Sequence, residues 1–185
     1  MSEAGPVFTI GHSTRTLEAF LALLHRESIR HLVDVRRFPV SRRYPHFDSG
    51  PLAASLADAR ISYEHAPALG GRRSANPASR NVGWRNASFR GYADHTATAE
   101  FQSALDRLLA AADRAPTVVM CAEAVPWRCH RILIADAALA RGRRVRHILD
   151  AATTDHVLTR FGIVTGGRVE YPGEQGHDLF SAAEL

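Results

Sequence analysis

Lysine is absent from this 185-residue chain: all 23 basic residues are arginine, set against 19 acids for a formal net charge of +4. Every cation is therefore a planar fork suited to phosphate or carboxylate. The basic balance admits an anionic partner without requiring one. Cysteine is nearly absent too, at two residues, which excludes a disulfide framework and fits free thiols in a reducing compartment. No apolar run approaches the roughly 20 residues that a membrane-crossing helix needs. Met1 to Pro6 has neither a basic start nor a long apolar segment. The expectation is a cytoplasmic protein without a membrane partner. Internal repeats, low-complexity tracts and a second domain are missing as well, and nothing in the sequence sets an oligomeric state.

What is present is one domain's worth of alternating strand and helix signals, with 45% apolar residues to build a core. Val7 to Ile10 is a first apolar run, ended by Gly11-His12-Ser13. Leu17, Phe20, Leu21 and Leu24 recur at helical spacing, with Ser13, Thr14 or Thr16 as candidate N-caps. His31 to Val35 predicts a second strand, Pro51 to Arg60 a helix with its proline in the first turn, and Ile61 to His65 a third strand. Phe101, Leu105, Leu108, Leu109 and Ala112 mark a helix ending near Pro116. A buried strand follows over Thr117 to Met120, then a helix over Arg131 to Arg141 with Gly142 as C-cap, then a strand over Val145 to Leu149.

This alternation predicts an α/β single domain over residues 1–150, with a mainly parallel sheet flanked by helices. Residues 151–185 form a C-terminal extension packed on the same domain. It should hold a small hairpin within Phe161 to Tyr171, around Thr165-Gly166-Gly167-Arg168, and a loose tail from Gly173. Between Ala66 and Thr96 no periodicity persists. A basic insertion loop of that length is more often a functional loop or lid than filler.

The stretch Met120 to Arg131, MCAEAVPWRCHR, holds both cysteines together with Glu123, Trp127, Arg128, His130 and Arg131. It runs from a strand end into a helix N-terminus, where free N–H groups and the helix dipole favour anions and thiolates. Other strand ends carry His12 and Ser13, Asp34 and Arg36, Glu64 and His65, and His147. In open α/β sheets ligands bind beyond the carboxyl ends of the strands, so these side chains are expected to meet. Cys121 reads either as a nucleophile activated by Arg128 and His130 or as a small core residue.

Two patterns are excluded by what is missing. A zinc deaminase would place a PCxxC after Cys121-Ala122-Glu123, and a rhodanese-like or phosphatase-like loop would place its arginine earlier than Arg128. The cysteine and histidine spacing is not that of a standard zinc site either, so no metal and no cofactor is expected. From Arg36 to Tyr92, ten arginines face three acids, with Phe38, Tyr44, Phe47, Trp84, Phe89 and Tyr92 between them. Such a segment reads either as a solvated basic face or as a nucleic-acid surface.

TIGHST (9–14), LVDVRRFP (32–39), Ser41-Arg42-Arg43, Pro45-His46-Phe47, Leu69-Gly70-Gly71, FRGYADH (89–95), MCAEAVPWRCHR (120–131) and VRHIL (145–149) occur in this order. Together they resemble the bacterial and archaeal family catalogued as domain of unknown function 488. The resemblance implies one compact α/β domain and no particular activity. It adds that the family's recurring polar residues match His12, Ser13, Asp34, Arg36, Cys121, Glu123, Cys129, His130 and Arg131. His95 departs from the tyrosine common at that position.

The functional expectation is an enzyme acting on a phosphate-bearing substrate, either a nucleic acid or a phosphorylated small molecule such as a nucleotide. Catalysis would fall to Cys121, Glu123, His130, Asp34 and His12. Ser13, Arg36, Arg42, Arg43, Tyr92, Trp127, Arg128 and Arg131 would bind the substrate. The alternatives are a non-catalytic nucleic-acid-binding module and a thiol or metal protein in which Cys121 and Cys129 form a redox switch.

Overall fold

The computed structural model describes residues 5–173. Its sheet is assembled around β4 (Thr117–Cys121), a wholly buried strand. β1 (Val7–Gly11) pairs with it in parallel on one side and β2 (His31–Asp34) on the other. β3 (Ser62–His65) extends the sheet beyond β2, and β5 (Val145–Ile148) extends it beyond β1, both parallel. β6 (Thr153–Asp155) closes that edge antiparallel, giving the order β3-β2-β4-β1-β5-β6. The remaining two strands, β7 (Ile163–Thr165) and β8 (Arg168–Glu170), form the expected separate hairpin.

Alternate side chains of each strand feed two cores, as the period-2 pleat requires. Phe8, Ile10, Leu32, Val118 and Met120 pack beneath α1 (Leu17–Arg26) and α2 (Ser49–Asp58). Val7, Val33, Val119, Cys121 and Val145 pack on the opposite face, beneath α4 (Ala99–Arg114) and α5 (Arg131–Ala140). Thr16 caps α1 and Thr98 caps α4, each accepting from a backbone N–H three residues on.

The stretch expected to be one long loop is partly helical. After an irregular segment over residues 70–86, α3 (Ala87–Thr96) begins at Asn86, whose side chain accepts from the N–H groups of Ser88 and Phe89. A Cβ on Gly91 would lie 2.6 Å from the carbonyl oxygens of Arg73 and Ser74, so the glycine lets the loop cross the helix closely. The Phe161 to Tyr171 hairpin stands where it was expected. The loose tail from Gly173 falls almost wholly outside the described residues. Among the described residues, no helix is long and apolar enough to cross a membrane.

Candidate functional site

β1 and β4 are neighbours, yet the chain leaves them in opposite directions. α1 packs on one face of the sheet and α5 on the other. This is a topological switch point, where the connecting loops part and leave a crevice. The backbone continues the pairing one step past the strands, with His12 N–H donating to the Cys121 carbonyl and Ser13 N–H to that of Ala122. A Cβ on Gly11 would lie 1.7 Å from the Glu123 carbonyl oxygen, so only glycine lets the loop after β4 fold back over β1. A cleft of about 920 Å³ opens there, lined just past β1 by His12, after β2 by Arg36, Arg37, Phe38 and Arg42, and at and after the end of β4 by Cys121, Glu123, Arg128, Cys129 and His130.

Beneath this cleft lies a buried ion pair. Asp34, at the end of β2, accepts from Arg36 Nη2 at 2.6 Å and from Nε at 2.9 and 3.1 Å. Tyr63 Oη donates to the same carboxylate at 2.9 Å, and Arg36 Nη2 also reaches the Phe47 carbonyl at 2.8 Å. Burial works against the Arg36 charge, but the hydrogen bonds and charge of Asp34 outweigh it and hold the guanidinium above its usual range. Burial and Asp34 likewise push the Tyr63 phenol up. The side chain of Arg36 is thus largely committed within the protein.

His12 is stacked on Phe47 with ring centroids 4.3 Å apart. Its Nδ1 lies 3.0 Å from the Ser13 carbonyl, which can only accept, so Nδ1 carries the proton. Burial is the main reason its pKa falls to about 4, with Arg36 lowering it further against the opposing Ser13 carbonyl. The ring is therefore neutral, and its Nε2 lone pair faces Arg36 Nη1 at 3.5 Å.

Beside this pair stands a compact sulfur cluster. Cys121 is the last residue of β4, while Cys129 has an extended backbone and His130 a helical one as the N-cap of α5. That change of conformation turns two adjacent side chains toward the same point. His130 Nδ1 lies 3.7 Å from Cys129 Sγ and 4.0 Å from Cys121 Sγ. Both cysteines are free and buried. The Cys121 thiol donates toward Cys129, which lowers the Cys129 pKa well below its ordinary value and raises that of Cys121. Arg131, fully buried, donates from Nε to Cys129 Sγ at 3.4 Å and from Nη2 to the Glu123 carbonyl.

The residues singled out from the sequence divide into three groups. His12, Arg36, Arg42, Cys121, Glu123, Arg128, His130 and Tyr92 line the cleft, although the Tyr92 hydroxyl is spent on the Leu69 carbonyl at 2.6 Å. Asp34 and Arg131 support it from below. Ser13, Arg43 and Trp127 are not on its lining, and Arg43 instead lies over the Tyr44 ring.

The expected meeting of side chains from all five strand ends is incomplete. Glu64 pairs with His31 at 3.3 Å at the sheet edge, and His65 Nε2 contacts the Arg36 carbonyl at 2.8 Å. His147 turns into the core, where a chain of contacts links Thr9, His147, His156 and Asp136 at 2.7, 3.0 and 2.8 Å. Tyr171 donates to the same Asp136 at 2.8 Å, so this network fastens the C-terminal extension to α5.

Arg37, Arg72, Gly71 and Phe89 also line the cleft and were not among the expected site residues. For Arg72 the available signal was the Gly70-Gly71 pair ahead of it, which marks a turn. Arg72 itself has a left-handed backbone, φ 60°. Among the described residues Arg37, Arg42, Arg72 and Arg128 have no carboxylate partner, and Glu123 is the one acid on the cleft wall.

No curated protein and no solved structure matches the chain. A family model does match, over residues 16–138, a span that includes Arg36, the basic segment, both cysteines and Arg131. The chain belongs to the family described as domain of unknown function DUF488.

Proposed function

We propose that the cleft is the active site of an enzyme acting on a phosphate-bearing substrate, a nucleotide or a nucleic acid. The observation that carries the proposal is the charge of the wall: four arginines without a carboxylate partner among the described residues, against one glutamate. Guanidinium forks present paired N–H groups to phosphate oxygens, and a cleft with low-dielectric walls strengthens their field. Arg42, Arg72 and Arg128 would hold the phosphate. Glu123 supplies a carboxylate for proton transfer, with the sulfur cluster on the floor next to it. Arg36 keeps His12 and Asp34 in place instead of binding the anion, since Asp34 and the Phe47 carbonyl already occupy its fork.

Exposed aromatics support a base-bearing substrate over a simple phosphate. Phe38 is 63% exposed at the cleft and Trp127 is 60% exposed next to Arg128. Exposed rings beside bound phosphate give a nucleobase a surface on which to stack. The same observation favours the second reading, a binding module without catalysis.

The test is binding of a nucleoside monophosphate and of a short single-stranded oligonucleotide over a salt series, with the Arg42→Ala/Arg128→Ala double variant alongside. Affinity should fall with salt, and by about tenfold or more in the variant. Equal binding by variant and wild type, or none at low salt, sinks the reading. If binding holds but Glu123→Gln never affects turnover of any bound substrate, the non-catalytic module is the correct one.

A further inference from the structure

Cys121, Cys129 and His130 bring two sulfurs and one ring nitrogen to within 4.8 Å of one another. In a tetrahedral zinc site with Zn–S of about 2.3 Å and Zn–N of about 2.0 Å, the S–S edge is about 3.8 Å and the S–N edge about 3.5 Å. The observed S–N separations, 3.7 and 4.0 Å, differ from that edge by a few tenths of an ångström. We propose that Cys121 Sγ, Cys129 Sγ and His130 Nδ1 bind a divalent ion of the zinc class, with the fourth tetrahedral position open to the cleft.

Three further features support this site. The donors are two sulfurs and an imidazole, a set that selects zinc-class ions over magnesium or calcium. Their backbone is fixed, since Cys121 ends a central strand and His130 caps α5. The space around Nδ1 is kept clear by a glycine: a Cβ on Gly71 would lie 2.7 Å from it. Arg131 Nε, donating to Cys129 Sγ at 3.4 Å, supplies the outer N–H that a ligating sulfur commonly has.

All three ligands line the cleft, so the vacant coordination position points to where the arginines would hold an anion. An ion with such an open position can polarise a phosphoryl oxygen or lower the pKa of a bound water. Binding displaces any thiol proton into solvent, so charge and protons balance without an oxidant. His130 Nε2 is buried without a hydrogen-bond partner among the described residues. A missing outer partner weakens a metal site about 10- to 100-fold, so this ion exchanges with chelators more readily than one in a closed structural site. The inference rests on ligand geometry and stands apart from the phosphate reading.

The experiment is titration of the full-length protein, stripped by chelation with its thiols kept reduced, first with Co(II) and then with Zn(II). The expected result is one ion per chain, with a thiolate-to-cobalt charge-transfer absorption that Zn(II) abolishes. The zinc-loaded protein should protect both cysteines from a thiol reagent. Cys129→Ser and His130→Asn should each lower affinity at least tenfold, with circular dichroism unchanged. Absence of the charge-transfer absorption in the wild type overturns the proposal without reference to any variant. So does stoichiometric binding that survives both substitutions in folded protein. Phosphate or nucleotide binding by the metal-free protein is read separately, and its failure leaves the metal result untouched.

Discussion

The guanidinium of Arg131 is fully buried and bridges a sulfur and a carbonyl: Nε donates to Cys129 Sγ at 3.4 Å while Nη2 donates to the Glu123 carbonyl. One side chain thereby ties the N-terminus of α5 to the loop after β4 and fixes the floor of the cleft from beneath. Buried charge is tolerated only where it is hydrogen-bonded and compensated, so both contacts matter to the fold.

Arg131→Met should therefore cost about 2–4 kcal/mol in urea unfolding, because it leaves a buried sulfur and a carbonyl without their donor. Arg131→Lys keeps the charge but cannot serve two acceptors with the same fork, and should recover less than half of that loss. A lysine variant as stable as the wild type would mean that charge alone, and not the two-pronged contact, holds the loop.

Asp34 and Arg36 form the second buried anchor, and each leaves the other uncompensated when removed. Asp34→Leu and Arg36→Met should each destabilise by about 3–5 kcal/mol. The double variant should cost less than the sum by about 1.5 kcal/mol or more, since no lone charge then remains. Additive single and double losses in chemical denaturation would show that the two residues are not energetically coupled.

Much of this arrangement is legible in the sequence, and the residues that are not share a physical reason. Phe101, Leu105, Leu108 and Leu109 announce α4 because its buried face is apolar. The buried residues of α3 are Gly91, Tyr92, Ala93, His95 and Thr96, too small or too polar to show an apolar helical period, so the Asn86 cap is its clearest mark in the sequence. β6 is three residues long with no fully buried side chain, and backbone pairing to β5 holds it in the sheet.

Within the site, His12, Arg36, Cys121 and Glu123 are legible because the ends of parallel strands converge on the crevice. His147 occupies a position of the same kind in sequence, but strand parity turns it into the core beside Thr9. The cluster of Cys129 with His130 is hidden because adjacent side chains normally diverge. Here an extended residue followed directly by a helical one brings them together. Arg72 reaches the cleft through a loop path that periodicity does not encode.

The buried imidazoles make the fold sensitive to acid. His147, enclosed with His156, Asp136 and Arg131 around it, has its pKa lowered by burial from 6.5 to about 4, and His12, facing Arg36, Asp34 and His46, is lowered to about 4 in the same way. Above pH 6.5 both rings are neutral in the folded and unfolded chain, so they impose no penalty. As pH falls from 6.5 toward 4, the unfolded chain takes up protons that the folded chain refuses, and stability drops. Below about 4 both states are protonated and this contribution levels off. The loss across that window should be on the order of 2–3 kcal/mol for each ring. Urea unfolding at pH 7.5, 5.5 and 4.5 measures it, with His147→Gln for comparison. The variant should be less stable at pH 7.5, because Thr9 and His156 lose their partner, yet show a shallower decline toward pH 4.5. An unchanged slope in His147→Gln would mean that this ring is not the group refusing the proton.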